Sequence, residues 1–146
     1  MTTRYDGGLN RYVFQDGAVP VALTQRTRVT LAELNAGKTL LPAVPGFKYR
    51  LIDAKLIAVG GAAAVGTSVN VIGTRAAAPV QLLVVLIAAL TQSAVVRAGA
   101  ANAAVLANGA SFESLDANTG ITVITVGTAM TTLTHLDVDL TFEIVE

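Results

Sequence analysis

Cysteine is absent from this chain of 146 residues, which excludes disulfide frameworks, thiol catalysis and zinc sites of the cysteine type. Tryptophan is absent too, and His135 is the only histidine. No apolar run is long enough to span a bilayer as a helix. The longest, Leu82 to Leu90, has nine residues, against about 20 for a transmembrane helix. Its Val, Leu and Ile content suits a buried strand. The first ten residues are polar, with Arg4, Asp6 and two glycines, and do not read as a signal peptide. A soluble protein, not exported by the usual route, is the expectation.

Charge is also scarce. Charged residues make up 14% of the chain and hydrophobic ones 53%, whereas about 25% charge is ordinary for a soluble domain. Ten basic and ten acidic residues cancel, so there is no basic footprint for nucleic acid. A domain of this size can bury roughly 70% of its unfolded surface. With so little polar material left to coat it, exposed apolar patches are expected, and these normally mark interaction sites. Cover by other subunits is the simplest solution.

What is present falls into three zones. Residues 1–25 form an N-terminal arm with Gly7, Gly8, Gly17 and Pro20, and with Arg4, Tyr5, Arg11, Tyr12 and Phe14 interleaved. Neither a period of 2 nor one of 3.6 is sustained there, so the arm is expected to be irregular. It either grips a neighbouring subunit or packs on its own domain. Between Leu56 and Leu136 only Arg75, Arg97, Glu113 and Asp116 are charged. The C-terminal stretch closes the chain with a cluster of acids.

Residues 26–146 read as strands. A segment from Thr27 to about Glu33 ends in the turn Asn35-Ala36-Gly37, and Pro42 and Pro45 stiffen the next loop. From Phe47 to Val59 the apolar parity switches, which predicts a bulge or a strand covered on both faces. Ser68 to Gly73 is a short strand, and Val80 to Ala88 is expected to be the most buried one. Asn108-Gly109 is a turn signal. Ile121 to Val126 follows as a strand.

The last strand alternates strictly. Leu136, Val138, Leu140, Phe142 and Ile144 fall on one face, and His135, Asp137, Asp139, Thr141 and Glu143 on the other. This is the pattern of an antiparallel strand with one wet face. Seven to nine short strands at such spacing predict an all-β, antiparallel β-sandwich, with jelly-roll connections among the options. The alanine runs are broken by Gly, Pro and Asn too often for long helices. One short helix between Ala88 and Arg97 is left open.

Chemistry is thin. A nucleophilic triad needs an activated serine beside a base, and no Gly-x-Ser-x-Gly elbow exists. His135 reads as a surface histidine. Gly37-Lys38-Thr39 lacks the upstream glycine of a phosphate loop. Asp137 and Asp139 project to one side of a strand about 7 Å apart. They could hold a hard cation, pair with arginines of a neighbour's arm, or be solvated; a flat strand does not wrap an ion. No enzyme, cofactor or metal site is expected. The candidate partner contacts are Arg4, Tyr5, Arg11, Tyr12 and Phe14 of the arm, with Asp137 and Asp139.

Several runs carry a resemblance. The stretch from Ala36 to Arg50 (AGKTLLPAVPGFKYR), Ile57 to Ala62 (IAVGGA), Ala89 to Val96 (ALTQSAVV), Asn108 to Phe112 (NGASF) and Asp116 to Val123 (DANTGITV) is similar to the capsid decoration, or cement, proteins of tailed bacteriophages. The likeness covers about residues 33 to 145, and rests on turn and packing residues. It implies a β-rich homotrimer on the outside of the virion, assembled in the host bacterial cytoplasm. Its partners would be the major capsid protein and its own copies, with no nucleic acid and no membrane. The alternative is a carbohydrate- or receptor-binding sandwich of a fibre or tail. That is weakened by the missing tryptophan and by two of the three tyrosines lying in the arm.

Overall fold

The computed structural model describes residues 21–146 throughout and, before them, only the backbones of two strands, β1 (Thr3–Asp6) and β2 (Arg11–Phe14). The remaining strands are β3 (Leu23–Thr30), β4 (Lys38–Leu41), β5 (Lys48–Val59), β6 (Ser68–Arg75), β7 (Ala78–Leu86), β8 (Val95–Arg97), β9 (Ala103–Val105), β10 (Ile121–Val126) and β11 (His135–Val145), with one helix, α1 (Leu31–Ala36).

They form two antiparallel sheets, in the orders β3-β11-β5-β8 and β4-β10-β6-β7-β9. The pairings β3–β11, β4–β10, β5–β8 and β6–β7 are those of one long hairpin ribbon folded at β6–β7. Rolling that ribbon up adds the pairings β11–β5 and β10–β6. This is a jelly roll, which wraps a ribbon into two sheets. β9 extends one sheet beyond β7.

The core lies between the sheets. Leu136, Val138 and Leu140 of β11 meet Val29, Leu51, Leu56 and Val96 on one side, and Leu83, Val85, Ile121 and Val123 come from the other, all nearly or fully buried. Tyr49 and Phe142 pack edge to face, with centroids 5.5 Å apart. Burial raises the Tyr49 pKa, and its hydroxyl donates to the Pro42 carbonyl at 2.8 Å. At Gly73, an added Cβ would stand 2.6 Å from Leu115 Cδ1, so any side chain there would have to displace the buried Leu115.

Several expectations are corrected. The strand expected from Thr27 to Glu33 ends at Thr30, and α1 follows. Thr30 and Glu33 form a capping box: the Thr30 hydroxyl accepts from the Glu33 N–H, and the Glu33 carboxylate accepts from the Thr30 N–H at 3.0 Å. Between Ala88 and Arg97 there is only a 3-10 turn at Ile87–Ala89 and then β8. Strand β7 is less buried than β6, because the outer face of β7 is open at Pro79, Gln81 and Leu86. The arm is regular in part, since β1 and β2 pair antiparallel. Tyr5, Tyr12, Val13 and Phe14 are residue types that favour strands.

Two features stand as expected. The parity switch in β5 is a bulge, with Thr141 opposite Asp53 and Phe142 opposite Leu51, leaving Ile52 unpaired and exposed. Asn108 and Gly109 both adopt left-handed backbones. A tight turn joins β6 to β7, with Ala76 and Ala77 both at positive φ (52° and 58°). Their N–H groups donate to the Asp116 carboxylate at 3.1 and 2.8 Å, which offsets the strain.

Candidate interaction faces

Each sheet has one face in the core and one outside, and the two outer faces differ in chemistry. On the β3-β11-β5-β8 sheet the register brings opposite charges side by side. Arg26 on β3 donates through Nε and Nη2 to the carboxylate of Asp139 on β11, at 2.6 and 2.7 Å. One step along, Arg28 Nε donates to Asp137 at 3.1 Å, and Thr24 and Thr141 share a hydroxyl hydrogen bond of 3.0 Å. Arg50 on β5 donates through Nε to Glu143 at 2.8 Å. Asp53 meets Arg97 of β8 at 2.9 Å. Lys48 and Lys55 fall on the same face by register.

Those residues are six cations (Arg26, Arg28, Lys48, Arg50, Lys55, Arg97) and four anions (Asp53, Asp137, Asp139, Glu143), half of the twenty charges in the sequence. Hydrogen bonding by Arg26 lowers the Asp139 pKa, and the same bond raises that of Arg26. Exposed pairs of this kind contribute about 0.2–1 kcal/mol each, so the ladder fixes register more than it stabilises.

Asp137 and Asp139, candidates for pairing with a neighbour's arginines, make arginine contacts inside the chain. Both carboxylates are met by arginines of β3, and Asp137 is 8% exposed. The physical reason is topological, because rolling the ribbon lays the basic β3 along the acidic β11. His135 is largely covered as well. Its side chain is 13% exposed, with Nε2 lying 3.6 Å from Asp137 Oδ1. The side chains of Arg4, Tyr5, Arg11, Tyr12 and Phe14 lie outside the described residues. Among the described residues no group of three or more His, Asp or Glu is placed to hold a metal ion. No helix among them is long and apolar enough to cross a membrane.

The outer face of the five-stranded sheet carries no charge. Its rows, read from the register, are Val126, Ser68 and Leu86; then Ile124, Asn70, Val84 and Ala104; then Thr39, Thr122, Ile72 and Gln81; then Thr74 and Pro79. Ser68 and Asn70 are buried on its middle strand, β6, where the Ser68 hydroxyl donates to Asn70 Oδ1 at 2.7 Å. Leu86 and Val126 beside them are 41% and 40% exposed. A shallow groove of about 410 Å³ crosses the same face, lined by Thr39, Ala43, Ile72, Thr74, Pro79 and Thr122 among others.

At the Ser68 end of this face stands Val65, 52% exposed with φ at +61°. A β-branched residue held there costs about 1–3 kcal/mol and persists only where its surroundings enforce it. They do so here. Two residues on, the Thr67 N–H donates to the Val126 carbonyl at 2.9 Å, and the Thr67 carbonyl accepts from Ile87 at 3.3 Å. Val65, Leu86 and Val126 thus belong to one corner of the fold. Sequence reasoning missed this face; its signal was the scarcity of charge between Leu56 and Leu136.

No family model, curated protein or solved structure matches this chain.

Proposed function

We propose that this chain is a structural assembly protein, a decoration protein that seats on the outer surface of a tailed-phage capsid and strengthens contacts between major capsid proteins, with its own copies as further partners and a homotrimer as its assembled form. The observation that carries this reading is the uncharged outer face of the five-stranded sheet, next to an opposite face that holds half of the charges. A face of that kind gains little from water and much from a neighbour. The likeness of residues 33 to 145 to cement proteins gives the partner. A jelly roll is at home in capsid and lectin domains alike, so the fold supports the role by analogy only. Weak contacts repeated over a symmetric lattice add up to firm attachment.

Purified protein mixed with expanded phage shells is expected to co-sediment with them in a saturable, stoichiometric manner. A chain that leaves shells bare at every concentration sinks the reading. The uncharged groove with its threonine hydroxyls keeps a sugar-binding role as the second reading. A glycan array separates the two: binding to one saccharide class, with no binding to shells, moves the assignment there.

A further inference from the structure

We infer that the uncharged outer face of the five-stranded sheet is a contact between copies of this chain, with the corner formed by Val65, Leu86 and Val126 at its edge. The inference rests on the assembly reading above and names the occupant of its carrying face: a second copy presenting the same face.

Charge selects the occupant. Of the outer faces of the two larger sheets, one bears ten charged side chains and the other none. Set against the charged face of another copy, the uncharged rows would bury cations and anions without offering them a single ionic partner. Set against its own equivalent across a two-fold axis, they meet rows of valine, isoleucine and threonine, and no charge is stranded.

The second support is Val65. Val65 is strained, branched, apolar and half exposed, and it lies two residues before Thr67, whose backbone bonds to the ends of the strands that carry Val126 and Leu86. At a contact it becomes a knob set by the backbone in advance. Size sets the strength. Five strands about 4.8 Å apart, with outer rows about 20 Å long, give a flat area of roughly 500 Å², against about 800 Å² per partner in a standard interface. The contact is therefore weak in solution and reinforced when copies are held together on a lattice.

The test is sedimentation velocity over a concentration series. The wild-type chain is expected to move from monomer to oligomer as concentration rises. Val126→Lys and Leu86→Lys are each expected to raise the dissociation constant about tenfold or more. Val95→Lys, at a 62%-exposed position on the opposite, charged face, is expected to leave it unchanged. Because the chain has no cysteine, single thiols report on cover directly. A thiol in Val126→Cys should react more slowly with a maleimide as concentration rises, and one in Val95→Cys should not. Circular dichroism checks that each variant is folded; for one that is not, the thiol measurement decides. A wild-type chain that stays monomeric, or association broken by Val95→Lys and not by Val126→Lys, overturns the inference. Shell binding without self-association removes this inference alone. Self-association without shell binding upholds it and removes the capsid reading instead.

Discussion

Glu33 gives up its proton at about pH 2, far below the ordinary 4.5, because Lys38 donates to it and the Thr30 N–H and hydroxyl do so as well. Folding lowers this pKa, so as pH falls the unfolded chain takes up the proton first. The contribution of Glu33 to stability is therefore complete above pH 4.5 and disappears as pH falls towards 2. Unfolding followed by circular dichroism at stepped pH should show a loss of stability across that window, and Glu33→Gln should flatten it. An identical slope in the variant would remove the assignment. The Thr30-x-x-Glu33 spacing was legible in the chain, since it is the signature of a capping box. It sits at the end of a convincing strand pattern, and the helix it starts has six residues. Periodicity has no power over so short an element.

At the scale of the element, β5 makes the sharper test. Its bulge turns Ile52 outward between two buried residues, Leu51 and Ala54. Leu51→Ala should cost about 2–5 kcal/mol, as for any buried leucine in a packed core. Ile52→Thr, one position on, should fall within about 0.5 kcal/mol of the parent. Chemical denaturation of both variants reads the difference, and comparable losses would mean that Ile52 is buried after all. The parity switch announced something irregular here but left open whether a bulge or two-sided cover was responsible. Pairing with β11 decides it, because one residue of β5 has no opposite number there. The partner strand lies more than eighty positions away, beyond the reach of a local pattern.

For the whole molecule, the arm and the body separate cleanly only if the cut is made in the right place. Strand β3 begins at Leu23, and Gln25 Nε2 donates to the Leu40 carbonyl at 3.2 Å, so an arm ending at residue 25 would take part of the sandwich with it. Removal of residues 1–20 should leave thermal unfolding of the body within a few degrees of the parent. If the arm serves assembly, the same truncation should weaken shell binding by about tenfold. Unfolding of the truncated chain would place the arm in the core, and unchanged shell binding would take it out of the assembly.

Some properties were settled by the order of residues alone. The all-β class follows from turn residues every ten or so positions and from the strict alternation in β11, both local signals that need no partner. The want of charge followed from composition, and with it the expectation of an uncovered apolar surface. Tertiary structure decided which surface that is. Asp137 and Asp139 looked available to a neighbour until the ribbon rolled up and laid Arg28 and Arg26 beside them. The same roll gathered the charges of four strands that are distant in sequence onto one outer face and left the outer face of the other sheet bare. A strand's own pattern says that it has two faces, but only its neighbours determine what stands on the sheet around it.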